Sequence, residues 1–203
     1  KIVYKLPDGS TAAAPYEAQY KVGEQYSVAS PADVSGYTPS LATVTGYMPA
    51  TDVTIEVPYL AGAATKYKVN HYLQPLNSDK TGVITDTAQF TLYSAEEDTY
   101  YGMTDTQTAA VAKNITGFAP REFTQKNIQA DGTTEVDIYY DRKQYTVTWN
   151  AVYGKFATNE TVATSTVYYE GKIAPPAEIP TRDADNDYTY AFDAWQNWTE
   201  TDT

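Results

Sequence analysis

The sequence contains no cysteine, so disulfides and thiolate metal sites are excluded. It has a single histidine, which leaves little material for imidazole-based acid–base or metal chemistry. Cations are scarce: 14 Lys and Arg stand against 26 Asp and Glu, a net charge of −12. Such a surface repels phosphate backbones and anionic lipid, so nucleic acid and membrane surfaces are poor partners. No run of about 18 apolar residues occurs, so nothing in the sequence reads as a membrane-spanning helix and no membrane insertion is expected. The opening residues do not read as a signal peptide either. The chain opens directly on KIVYK and stops at TETDT, which reads as an excerpt of a longer protein.

What the sequence does have is tyrosine, 20 of them in 203 residues, with much threonine and a hydrophobic fraction of 42%. Aromatic and β-branched side chains suit a pleated, half-buried surface, so the expected class is mainly β. Turn signals at Asp8-Gly9 and Asp131-Gly132 punctuate it. The stretch 104–114, TDTQTAAVAKN, is the one helix candidate: Asp105 could cap it and Ala109, Ala110 and Ala112 favour helix, while its threonines favour strand.

The chain also repeats itself. SGYTPS at 35–40 matches TGFAPR at 116–121, a shift of 117 − 36 = 81 residues. The same shift carries Tyr37 onto Phe118, Pro39 onto Pro120, and Ile55, Val57 and Tyr59 onto Val136, Ile138 and Tyr140. Strand openings recur as KIVYK, YKVNH and YTVTW, each with a valine third (Val3, Val69, Val147). In VDIYYDRKQYTVTWN, the four residues 141–144 therefore read as a seam between repeats rather than a hairpin loop, and they lack the Asn-Gly or Asp-Gly of a tight hairpin. Three units are expected, 1–61, 65–142 and 143–203, each near the lower size limit for an independent core.

The first two units resemble MucBP-like repeats of bacterial cell-surface proteins. The resemblance rests on PDGS, YKVGEQYSV, SGYTP and VTIEVPY in the first, and on YKVNHYLQ, ITGFAP and IQADGTTEVDIYYDRK in the second. The third, with YTVTWN, VYYEGKIAPPAEIPTR and YTYAFDAW, resembles the Listeria–Bacteroides repeat, or internalin-type B-repeat. That pattern usually has two glycines where Tyr153-Gly154 stands, and Gly where Ala194 precedes Trp195. The resemblance implies tandem small β-grasp-like (ubiquitin-like) domains forming an elongated rod, with the first and last strands of each unit parallel in the centre of a sheet. It implies an extracellular place on the bacterial cell surface, as a non-catalytic stalk. It also implies that the third unit, which lacks a closing strand like VTIEVPY, is C-terminally truncated, with the edge of Tyr145–Trp149 partly exposed, or covered by a neighbouring molecule or by residues 196–203. Adhesion to a host glycan or surface protein is the alternative function, and an accessory region of a surface enzyme the third.

Among candidate site residues, His71 shares a face with Tyr67 and Val69 and stands in no catalytic motif. Asp183, Asp185 and Asp187 have the spacing of a calcium loop, but Tyr188 and Ala194 occupy the places of the required Gly and Glu, so they read as a solvated turn. Lys5 and Lys68 are the lysines a Lys–Asn isopeptide cross-link would draw on, but neither stands in an apolar run. Asn114, Asn159 and Asn197 begin glycosylation sequons, which arise freely in a Thr-rich chain. Ligand-binding candidates are the aromatics Tyr72, Tyr100, Tyr101, Tyr139 and Trp198, which could stack on sugars if outward-facing; core packing or cross-strand pairing is the competing role. No catalytic residue, metal site or cofactor is assigned.

Overall fold

A computed structural model describes residues 1–93 and 98–196. As the composition leads one to expect, it is mainly β, 40% strand and 2% helical. The helical part is one 3-10 turn at Thr87–Gln89, capped by Asp86.

In the first 61 residues the strands are β1 (Ile2–Lys5), β2 (Thr11–Tyr16), β3 (Gln25–Ala29), β4 (Tyr37–Pro39), β5 (Thr43–Tyr47) and β6 (Ile55–Ala61). Next come β7 (Thr65–Leu73), β8 (Thr91–Leu92), β9 (Asp98–Gly102), β10 (Phe118–Pro120) and β11 (Glu135–Arg142), then β12 (Gln144–Asn150) and β13 (Val162–Tyr168). A four-stranded sheet runs β2-β1-β6-β4, with β3 and β5 as a separate ribbon; a five-stranded sheet runs β10-β11-β7-β8, with β9 also on β7; β12 and β13 pair alone. Among the described residues, no sheet mixes strands from either side of residues 62–64 or of Lys143.

By packing, the described residues form two compact units, one of 1–70, 98–111 and 124–137, the other of 71–93, 112–123 and 138–196. The division falls inside β7 and inside β11. In the first unit, β1 is central because its alternate residues Ile2 and Tyr4 are apolar and buried. It pairs antiparallel with β2 and parallel with β6, Ile2 facing Ile55 and Tyr4 facing Val57. Val28 and Val44 of the ribbon join Val57 and Tyr59 to close this core, and Tyr4 meets Tyr59 edge-on at 6.2 Å. The turn after β1 is built by Asp8, whose Oδ1 accepts from the Ser10 amide and hydroxyl; Asp131 does the same with Thr133. These bonds hold both carboxyls below their ordinary range.

In the second unit, Ile138 and Tyr140 of β11 are fully buried. His71 is buried too, its Nδ1 2.8 Å from the Tyr140 hydroxyl, which accepts from the Lys113 amide. Towards the end of the chain, Trp149, Phe156 and Phe192 gather around Trp195, with Trp149 5.1 Å from it.

The 81-residue shift holds down to single hydrogen bonds. Tyr37, Thr38 and Pro39 pair with Ala61, Leu60 and Tyr59; Phe118, Ala119 and Pro120 pair with Arg142, Asp141 and Tyr140. Tyr37 N–H bonds Val34 O as Phe118 N–H bonds Ile115 O, and Ser40 N–H bonds Pro58 O as Arg121 N–H bonds Tyr139 O.

The structure corrects two details. Residues 104–114 are not helical: Asp105 takes φ +64, and Gln107 bridges Asn127 in an extended segment. The valine alignment of the strand openings is off by one. The Lys1 ammonium donates to Val53 O, as the Lys68 amide donates to Thr134 O, so the shift there is 68 − 1 = 67 and Ile2, not Val3, corresponds to Val69. Burial agrees: Ile2 and Val69 are inside and Val3 is only half-buried.

Candidate functional site

The recurring Ser/Thr-Gly-aromatic loop forms a joint in each unit. In the first, Gly36 sits at φ +71, a left-handed conformation that glycine adopts without a Cβ penalty. Its carbonyl accepts from the Gly62 amide at 2.7 Å and from the Thr104 hydroxyl at 2.8 Å. Gly62, in turn, accepts from the Thr104 amide, and Thr104 shares a 2.7 Å bond with Thr65. Ser35 donates to Ala130 O, and a Cβ on Gly36 would lie 2.6 Å from the Ala130 backbone. The Tyr37 hydroxyl donates to Asp105 Oδ2 at 2.6 Å. That bond above all, with some burial, pushes the Tyr37 phenol up to about 12.

The second unit repeats the device with different neighbours. Gly117, at φ +78, accepts from the Lys143 amide at 2.8 Å, the counterpart of the Gly62 bond at the same 81-residue shift. A Cβ there would enter the Tyr169 ring, which packs edge-on against Phe118 at 5.9 Å. The Lys143 carbonyl accepts from the Tyr169 amide. Arg142 closes the joint: it donates to Tyr169 O and Glu170 through Nη1 and to Gln74 O through Nε, with its guanidinium 4.7 Å over Phe118. Its side chain is only 10% exposed, so this is a desolvated, multiply bonded arginine rather than a surface ion pair.

Both joints therefore immobilise the residue linking two sheets by a main-chain hydrogen bond to a left-handed glycine. Each such bond contributes about 0.5–1.5 kcal/mol net, and several act together. The sequence signalled the loops through their repetition. It gave no sign of Thr104, Asp105, Arg142 or Tyr169, whose partners are distant in the chain.

The aromatic candidates divide. Tyr72 and Tyr139 stack at 5.3 Å and are half-buried, and Phe90 packs edge-on against Tyr139. Arg121 lies over Phe90 and forks onto Asp141, which raises the arginine further. In the first unit Tyr100 stacks on buried Tyr67 at 5.7 Å yet stays 41% exposed, and Tyr101 is 67% exposed. Trp198 and Asn197 lie outside the described residues.

The remaining candidates serve local structure. Asp185 accepts the amides of Asp187 and Tyr188, and the Tyr190 hydroxyl above all holds its carboxyl low, so DADND is a turn. Lys5 donates to Gly9 O in the first hairpin, and Lys68 is half-buried on β7. Asn114 and Asn159 are exposed. Among the described residues no group of three His, Cys, Asp or Glu is placed to hold a metal ion. An open polar cleft of about 470 Å³ in the first unit is lined by Lys126, Asn127, Gln129, Thr133, Glu135 and Asp137. Asn70 spans its two carboxylates, donating to both. No family model matches this chain, and no curated protein matches it.

Proposed function

We propose that the chain is a non-catalytic stalk segment of a bacterial cell-surface protein, a series of MucBP-like β-grasp repeats followed by an internalin-type B-repeat, acting as a spacer outside the cell. The observation that carries this reading is the repeated joint: Gly62 to Gly36 and Lys143 to Gly117, the same bond at the same shift. A spacer needs its links stiff, and linkers pinned through their own amides are stiff in a way that flexible Gly-Ser linkers are not. The parallel pairing of β1 with β6, the first and last strands of residues 1–61, supports the β-grasp assignment. Three such domains strung end to end would make a rod of about 100 Å, at about 3.3 Å per strand residue plus loops. Small-angle scattering tests this directly. An elongated particle is expected, and a compact sphere would sink the stalk reading.

A second reading, adhesion to a host glycan or surface protein, is favoured by Tyr100 and Tyr101, adjacent exposed aromatics on one short strand. A glycan array separates the two: a spacer gives no signal, whereas a lectin gives a restricted one that Tyr101→Ala removes. An accessory role beside a surface enzyme is a third reading.

A further inference from the structure

Tyr16 and Tyr20 meet hydroxyl to hydroxyl at 3.0 Å, a contact that belongs to neither joint. Each ring is placed by a different neighbour. Tyr16 closes β2, where the register sets it opposite Ile2 of β1. Tyr20 lies four residues on, in the loop that leads to β3, with its ring 5.9 Å from that of Tyr26. Between them, Glu17 is tied to the Lys1 side chain at 2.9 Å. Both rings border one small, largely apolar recess together with Ile2, Tyr26, Val28 and Met48. They rest on packed side chains yet remain within reach of solvent: Tyr16 is 36% exposed and Tyr20 half-buried.

Two phenols joined through the carbons ortho to their oxygens carry those oxygens on either side of the new bond, close enough to share a hydrogen bond. The Tyr16–Tyr20 contact already has this end-to-end arrangement. The stacked and buried pairs differ. Tyr67 and Tyr100 lie face to face, with 22° between planes, and Tyr72 and Tyr139 do so with 21°. Tyr4 and Tyr59 meet edge-on but are 2% and 1% exposed, out of reach of an oxidant in solution. Tyr100 and Tyr101 are adjacent on β9 and so point to opposite faces.

We propose that Tyr16 and Tyr20 form an oxidative modification site, linked as dityrosine by a one-electron oxidant such as a haem peroxidase with hydrogen peroxide. Each phenol loses one electron and its hydroxyl proton, and the two radicals join through their ortho carbons. Each displaced ortho hydrogen then moves to the oxygen of its own ring. The net loss is two electrons and two protons, which hydrogen peroxide takes up as two water molecules. Contact held within one chain acts as a very high effective concentration, so the link forms within the chain ahead of links between chains. It ties the end of β2 to the loop that leads to β3, a covalent tie in a chain that has no cysteine. The proposal stands whether or not the chain is a spacer.

The test treats the full chain, at high dilution, with a haem peroxidase and hydrogen peroxide. The monomer is expected to lose two hydrogens by mass. Cleavage after Glu17 in denaturant should then leave the peptide ending at Glu17 joined to the one beginning at Ala18. The link should form at least about tenfold faster in the folded chain than in urea, because only folding holds the hydroxyls together. Tyr16→Phe and Tyr20→Phe should each abolish it, and Tyr47→Phe, which removes a more exposed tyrosine, should leave it intact. Four results overturn the proposal: no joined peptide, equal rates folded and unfolded, a link that survives Tyr16→Phe or Tyr20→Phe, or coupling between chains that outruns coupling within them.

Discussion

A methyl group added at Gly9 and at Gly117 makes two different experiments. Both glycines have φ near +80, so each alanine incurs the left-handed cost of about 1–2 kcal/mol. At Gly9 nothing lies within 4 Å of the new Cβ, and that is the whole effect. At Gly117 the methyl enters the Tyr169 ring, adding an overpacking cost of about 1–3 kcal/mol. Urea unfolding should therefore rank Gly117→Ala well below Gly9→Ala in stability, and equal losses would mean that the joint contributes nothing. Tyr37 offers a pH handle on the other joint. Its folded pKa is raised above the ordinary 10.0, so the Asp105 bond stabilises fully below pH 10 and is lost as pH rises through about 12. The wild type should exceed Tyr37→Phe by about 1 kcal/mol at pH 8, with the gap shrinking between pH 10 and 12. Denaturant midpoints against pH check both the size and the sign.

At the scale of the element, β12 shows that alternation in sequence is not equal burial along a strand. Trp149 is inside, Val147 half-buried and Thr148 exposed. Trp149→Ala should cost about 3–5 kcal/mol, Val147→Ala about 1 and Thr148→Ala less than about 0.5. Calorimetry in which Val147 and Thr148 respond alike would put the strand on the wrong face. The alternation itself was legible, as were β4, β6, β10 and β11, because a shift of 81 preserved side chains at period two. The openings were harder. Val3 and Val69 look equivalent as the third residues of KIVYK and YKVNH, but a slip of one residue exchanges the two faces of a strand, and the hydrogen bonds of Lys1 and Lys68, with the burial of Ile2 and Val69, fix which is right. The segment 104–114 escaped the sequence for a related reason: Thr104 is held by Gly36 and Gly62, and Ala110 by Gln125, contacts that outweigh alanine's local preference.

At the scale of the whole molecule, what matters is whether the links yield. Lys143 lies at a link yet has its amide bonded to Gly117 and its carbonyl to Tyr169, while Arg142 beside it is nearly buried. Proteases need several residues in extended, accessible form, so this bond should resist trypsin in the native chain. Tyr169→Ala should open it, with cleavage after Arg142 or Lys143 at least about tenfold faster by mass spectrometry. Equal rates would show that the link is loose already. The candidate binding aromatics were legible only as a set of residues; which were stacked away, as Tyr72 and Tyr139 are, depended on cross-strand neighbours that composition does not reveal.

The matching glycine bonds also bear on how such a gene could change. Cutting out residues 62–142 joins Ala61 to Lys143, and Lys143 then stands where Gly62 stood, its amide in line for the Gly36 carbonyl and Tyr169 brought to the face of that glycine. Misaligned recombination within the two stretches that already look alike, SGYTPS and TGFAPR, would likewise remove 81 residues, joining Ser40 to Glu122, and would leave Lys143 the same 143 − 117 = 26 residues beyond the glycine. Length becomes a quantity that inheritance can adjust in steps, without a new interface having to evolve each time.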